Sequence, residues 1–152
     1  PGSIRRMDAA GGLMVSASHN PPHDNGIKVF DGGGSKLGRQ MQQAIEAGLR
    51  GERLLPAFHG EGSSQARPDL IEAYRDGLIG AACGRRLDGV KVVLDLCWGS
   101  ATACGESVFR ELGADLTVLH GSPDGQRINQ GCGSTHLEPL RQAVLEIGRA
   151  HV

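Results

Sequence analysis

Residues 90–119, VKVVLDLCWGSATACGESVFRELGADLTVL, decide the fold. The apolar run Val90-Lys91-Val92-Val93-Leu94, closed by Asp95, predicts a buried strand, because a strand covered on both faces reads as a nearly continuous β-branched run. Gly99 and Ser100 break that run and predict a turn into a helix over residues 101–112. Gly113 then ends the helix in the position where left-handed backbone is needed. Residues 115–119 predict the next strand. Strand, helix and strand at this spacing make a βαβ unit, which calls for parallel strands and a right-handed crossover. The expected class is α/β with mixed sheets.

Working upstream, Pro68 predicts the first turn of another helix, with Asp69 and Glu72 near its positive end and Leu70, Ile71, Tyr74 and Leu78 as its apolar stripe. Residues 51–67, GERLLPAFHGEGSSQAR, have no period and are rich in Gly and Ser, which predicts a connection between two domains. Before it, residues 37–49 predict a helix with Met41, Ile45 and Leu49 on one face. Two short strands, residues 12–16 and 27–30, flank the turn-rich run Asn20-Pro21-Pro22-His23-Asp24-Asn25-Gly26, where Asn-Gly supplies the positive φ of a tight reversal. Downstream, residues 131–134 predict a loop, and Thr135-His136-Leu137-Glu138 has the capping-box pattern at the start of a last helix.

Composition narrows the class. The net charge is −1 and charged residues are 22% of the chain, which excludes a strongly basic nucleic-acid binder and an acidic disordered tail. Apolar runs fall far short of the roughly 18 residues that span a bilayer, so no membrane partner is expected. No leader pattern, no N-x-S/T sequon and no C-x-x-C pair occurs. The expectation is a cytoplasmic protein in which Cys83, Cys97, Cys104 and Cys132 are buried reduced thiols, and neither they nor His59, His120 and His136 show metal spacing. Gly32-Gly33-Gly34-Ser35-Lys36 has the wrong order for a P-loop and reads as a turn. Arg5-Arg6 and Arg85-Arg86 read as solvated, and Trp98 as packing beside the strand–helix turn.

The chemistry lies in residues 12–30, GLMVSASHNPPHDNGIKVF. Ser18 follows a strand, where a side chain is exposed yet held by a sheet. His19 and Lys28 are donors or proton-transfer groups, and Asn20, Asn25 and the loop N–H groups can bind an anion. That set suits phosphoryl chemistry, which depends on positioning and positive charge. Taken alone, a turn serine is far more often a backbone cap than a nucleophile, and a lone loop histidine is usually solvated.

Ser16-Ala17-Ser18-His19-Asn20-Pro21, followed by Asp24-Asn25-Gly26-Ile27-Lys28, resembles the phosphoserine loop of the α-D-phosphohexomutase superfamily. The stretches LDLCWGSATACGESVFRELGAD and Asn129-Gln130-Gly131-Cys132-Gly133-Ser134-Thr135-His136-Leu137 resemble its second domain, in the branch that acts on glucosamine phosphate. The resemblance implies an isomerase of the intramolecular phosphotransferase type. It would interconvert glucosamine 6-phosphate and glucosamine 1-phosphate through a sugar bisphosphate, feeding UDP-N-acetylglucosamine and cell-wall synthesis. It further implies that Ser18 carries the phosphoryl group and binds Mg²⁺, that Lys28 is the general acid/base, and that His19 and Asn20 shape the loop and position the phosphate. Mannose and glucose phosphates are the neighbouring substrates, and a non-catalytic sugar-phosphate-binding scaffold is the alternative class.

On this resemblance, residues 1–57 would be the later part of domain I, 58–67 a linker and 68–146 the first part of domain II. Residues 147–152 would be a non-native tail, because their codons match the start of a sequencing adapter. The Asp-Gly-Asp-x-Asp run that supplies the other metal ligands in this family does not occur in the sequence. The 152 residues by themselves are therefore expected to be inactive and, with incomplete sheets, prone to aggregate.

Overall fold

The computed structural model describes residues 2–16, 18–54 and 59–148. Residues 55–58 of the expected 51–67 connection, and 149–152 of the expected tail, lie outside them. The described residues of 1–16 and 25–66 form one compact unit, and those of 17–24 and 67–152 form a second.

The first unit begins with a short helix, α1 (Gly2–Arg6), then strands β1 (Gly11–Val15) and β2 (Ile27–Asp31) and helix α2 (Arg39–Leu49). β1 and β2 are antiparallel, with Gly11 opposite Asp31, Met14 opposite Lys28 and Val15 opposite Ile27. The Ser16 N–H donates to the Gly26 carbonyl at 2.8 Å and closes the ladder at the mouth of the turn-rich loop. Gly12 is needed for packing, because the buried Ile4 side chain of α1 occupies the space a Cβ there would take. The glycine run after β2 is a turn in which Asp31 Oδ1 accepts the Ser35 N–H at 2.9 Å and Gly34 takes φ +76°.

Helix α2 starts two residues later than the sequence predicts. The Leu37 N–H donates to Val29 O and Lys36 bridges Phe30, so these residues extend the sheet before the helix begins. The predicted stripe is poorly covered: Met41 is 56% and Leu49 79% exposed. Between α2 and the hairpin runs an apolar groove lined by Leu13, Ile27, Val29, Ile45 and Leu49. A two-stranded sheet with α2 and the five-residue α1 has too little surface to close it.

The second unit holds α3 (Asp69–Ala81), β3 (Lys91–Asp95), α4 (Gly105–Glu111), β4 (Asp115–Leu119) and α5 (Glu138–Glu146). β3 and β4 are parallel, in register from Lys91 opposite Asp115 to Asp95 opposite Leu119. The fold is thus mixed α/β, as the βαβ reading requires. Its core is Leu96, Cys104, Val108, Leu116, Cys132 and Ala143. Gly105 lets α4 approach, since a Cβ there would meet Leu96 Cδ2 at 2.8 Å.

Four expectations are corrected. The helix over 101–112 is broken into a 3₁₀ turn, Ser100–Ala103, and α4. Thr102 Oγ1 donates to the Gly99 carbonyl at 2.7 Å, and Cys104 at φ −147° turns its side chain into the core. Pro68 is the residue before α3 and not its first helical residue, and the Arg67 guanidinium grips Asp69 at 2.7 and 2.8 Å beside it. Thr135 does not cap the last helix: Leu137 is its N-cap, with no side-chain cap bond. A helix begun at His136 would need the Pro139 nitrogen to make its first hydrogen bond, and proline has no N–H; the helix therefore begins where Pro139 falls in the first turn. Cys83 is exposed, in left-handed backbone after α3, whereas Cys104 and Cys132 are buried and all four are free thiols.

Candidate functional site

The turn-rich loop between β1 and β2 is exposed along almost its whole length. Ser18, His19 and Asn20 are consecutive on it, in the second unit. Ser18 has φ +59°, a left-handed conformation that costs a non-glycine residue roughly 1–3 kcal/mol and persists only when its surroundings hold it. Asn129 is one such holder. Its Nδ2 donates to Ser18 O at 2.9 Å and to Asn20 O at 3.0 Å, so one amide clamps the loop on both sides of His19. The Asp24 N–H donates to Pro21 O and tightens the rest. Lys28 belongs to the first unit, on β2 opposite Met14.

Asn129 is itself fixed from below. Its N–H donates to Cys97 O at 3.2 Å, tying it to the segment that follows the end of β3. There the carboxylate of Asp95 organises three chain segments. Oδ1 accepts the Cys97 N–H at 3.0 Å and meets His120 Nδ1 at 2.8 Å, and Oδ2 accepts the Gly133 N–H at 2.9 Å. The Asp95 side chain is only 6% exposed. Burial pushes its pKa up, but the Gly133 N–H, His120 and the Cys97 N–H outweigh that and hold it below the ordinary value. Burial, with Asp95 and Cys132 beside it, pushes the Cys97 thiol up to about 12. Trp98 packs its ring 5.1 Å from His120 and under the Arg127 guanidinium at 3.7 Å.

Cys97, Trp98, His120 and Asn129 all have φ between +51° and +59°, like Ser18. Non-glycine residues seldom take this conformation, and here they gather where β3 and β4 end. Ligand sites of parallel sheets lie outside the carboxyl ends of the strands. Sequence reading singled out Ser18 and its neighbours and gave no role to Asn129, Asp95 or His120, which the structure links to that loop. The available signal for Asp95 was a charged residue closing an apolar parallel strand. For Asn129 it was only the tolerance of Asn for left-handed backbone.

Among the described residues one group of three metal-capable side chains converges: Asp95, Cys97 and Cys132. A donor set with two thiols does not fit Mg²⁺, which takes oxygen ligands.

Residues 2–55 match the family described as phosphoglucomutase/phosphomannomutase, alpha/beta/alpha domain I. The chain is 66% identical over 151 residues to the phosphoglucosamine mutase of Synechococcus sp. (strain WH7803), covering 99% of this chain and 33% of that protein. It is 62% identical over 152 residues to that of Prochlorococcus marinus (strain MIT 9313), with 97% and 32% covered. Among solved structures it superposes on a putative phosphomannomutase from Thermus thermophilus with TM-score 0.68 and 27% identity, over 93% of this chain and 33% of that one. A phosphoglucomutase/phosphomannomutase family protein from Burkholderia thailandensis gives 0.67 and 26%, over 91% and 29%. The chain spans about a third of the length of the curated relatives it matches. Its α/β units, its exposed serine loop and these relatives together make the chain similar to about a third of a phosphoglucomutase/phosphomannomutase family protein, with residues 2–55 matching domain I of that family.

Proposed function

We propose that this chain is the phosphoserine-bearing portion of an enzyme, a phosphoglucosamine mutase that interconverts glucosamine 6-phosphate and glucosamine 1-phosphate. The observation that carries the reading is Ser18 itself, exposed on its loop, in left-handed backbone, and clamped by the Asn129 amide. A phosphoryl carrier must be reachable by the sugar and still be held in one place, because positioning supplies most of this catalysis. In the proposed cycle phospho-Ser18 gives its phosphoryl group to the free hydroxyl of the hexosamine monophosphate. The Oγ–P bond breaks as the sugar O–P bond forms, and the hydroxyl proton leaves to a base. Ser18 Oγ then takes the phosphoryl group from the other position of the bisphosphate. Lys28 is the proposed proton-transfer group, and His19 and Asn20 shape the loop around the phosphate.

The relatives' names support a hexosamine phosphate substrate. Residues 1–57 are proposed as the later part of domain I, 68–146 as the first part of domain II and 147–152 as a non-native tail. Among the described residues no helix is long and apolar enough to cross a membrane, and a cytoplasmic location is part of the proposal. A metal ion that spreads charge on the transferring phosphoryl group, Mg²⁺ by expectation, would take Ser18 as one ligand. The described residues offer no oxygen-only cluster to complete its shell, so the steps of the cycle rest on the chain's own residues.

The test is a hybrid in which residues 1–146 replace the matching third of the Synechococcus WH7803 enzyme. The hybrid is expected to interconvert the two glucosamine phosphates and to yield a phosphopeptide containing Ser18. Ser18→Ala is expected to remove both. A folded hybrid with no activity, or a Ser18→Ala hybrid that keeps it, overturns the proposal.

A further inference from the structure

We propose that Asp95, Cys97 and Cys132 form a binding site for one borderline-soft divalent cation of the zinc class, pinning the 121–133 loop to the end of β3. The site lies wholly within the second unit. One ligand atom from each side chain lies within 4.8 Å of the others. Tetrahedral zinc holds two sulfurs about 3.8 Å apart and a sulfur and a carboxylate oxygen about 3.6 Å apart, given Zn–S bonds of about 2.3 Å and Zn–O bonds of about 2.1 Å, so contractions of at most about 1 Å and about 1.2 Å bring the donors to bonding distance. Two thiolates with a carboxylate are a zinc-type set, because soft sulfur selects such metals over Mg²⁺ or Ca²⁺.

The surroundings are those of a built site. Asp95 accepts three hydrogen bonds, leaving one of the roughly four lone-pair positions of a carboxylate for a metal. His120 and the Gly133 N–H orient that carboxylate from behind, as outer partners do at metal centres. Cys132 is fully buried, whereas Cys97 is partly exposed and gives the ion an entry side. Gly133 has no Cβ where one would stand 2.9 Å from Cys97 Sγ. On binding, each thiol gives its proton to solvent as its metal–sulfur bond forms; no electron is transferred. The fourth position is left to water. Because the Asn129 N–H donates to Cys97 O, the bound ion would hold the clamp on Ser18 from beneath.

The experiment uses the 152-residue chain, reduced with a phosphine and stripped by a chelator. It is titrated with Cd²⁺, read by the thiolate-to-cadmium ultraviolet band, and with Zn²⁺ in competition with a chromophoric chelator. One equivalent per chain is expected. Cys97→Ser and Cys132→Ser are expected to weaken binding by roughly 100-fold or more, and His120→Gln, as an outer partner, by about 10- to 100-fold. Cys83→Ser, at an exposed thiol outside the group, is expected to bind as the parent does. Folding of each variant is checked by Trp98 fluorescence, and Cys97→Ser, at the less buried thiol, stands in if Cys132→Ser does not fold. No equimolar band in the parent, a band that survives Cys97→Ser, or one lost in Cys83→Ser overturns the proposal.

Discussion

Replacing Gly133 with alanine tests whether the Asp95 junction is packed as tightly as its geometry requires. Gly133 has φ +75°, and its new methyl would stand 2.9 Å from Cys97 Sγ. Left-handed backbone costs an L-residue roughly 1–2 kcal/mol. Alanine recovers about 0.4–1 kcal/mol by narrowing the unfolded ensemble. Overpacking against a fixed sulfur adds about 1–3 kcal/mol, and any shift of the segment weakens the Gly133 N–H bond to Asp95. Gly131 is the control two residues away: it has φ +62° and nothing within 4 Å of a built Cβ. Gly131→Ala therefore feels the backbone cost alone, for a net loss of about 1.6 kcal/mol or less. Gly133→Ala is expected to lose about 2 kcal/mol more than that. Urea unfolding followed by the fluorescence of Trp98, the one tryptophan of the chain, reads the second unit directly. If the two variants fall within about 0.5 kcal/mol of each other, the ordinary range for a surface change, the tight junction is refuted.

In the metal-free chain, the lowered pKa of Asp95 adds stability that is present above the ordinary value of 3.8 and is lost as pH falls through the lower folded value. The gap in melting temperature between the parent and Asp95→Asn should therefore be open at about pH 6 and shrink below about pH 4; a gap that widens in acid contradicts the assignment. Asn129→Asp keeps shape and tolerance of left-handed backbone but removes the donor to Ser18 O and Asn20 O. At about 1 kcal/mol of net hydrogen bonding, deuterium uptake across residues 18–24 should rise roughly fivefold, and unchanged uptake would show that the amide does not hold the loop.

What the sequence made legible is what short-range patterning carries. The β-branched run before Asp95 and the apolar run at 115–119 became β3 and β4, since a buried strand leaves its mark residue by residue. The serine loop is legible as a motif because its residues are contiguous in the chain. The misread elements were decided by single bonds that a pattern does not contain. The Leu37 N–H went to the sheet and delayed α2, and Pro139, with no N–H to give, displaced the cap from Thr135. The Asp95 junction was hidden for a different reason. His120 and Gly133 lie 25 and 38 residues beyond it, and Asn129 lies 111 beyond Ser18, so no local spacing relates them. The stripe of α2 was legible but left uncovered, because burial depends on what packs against it.

These separations also impose an order on assembly. The entropy lost in closing a chain grows with the logarithm of its length, so joining Asn129 to Ser18 across 111 residues costs about 1.3 kcal/mol more than joining His120 to Asp95 across 25. Pairing of β3 with β4 brings residues 95 and 120 together without further search, whereas the serine loop must find a receptor that exists only once that pairing is complete. The Trp98 signal should therefore recover first in a refolding chain, and protection of residues 18–24 should follow it. The loop that carries Ser18 is thus the last to be seated as the protein forms and the first to be released as it opens.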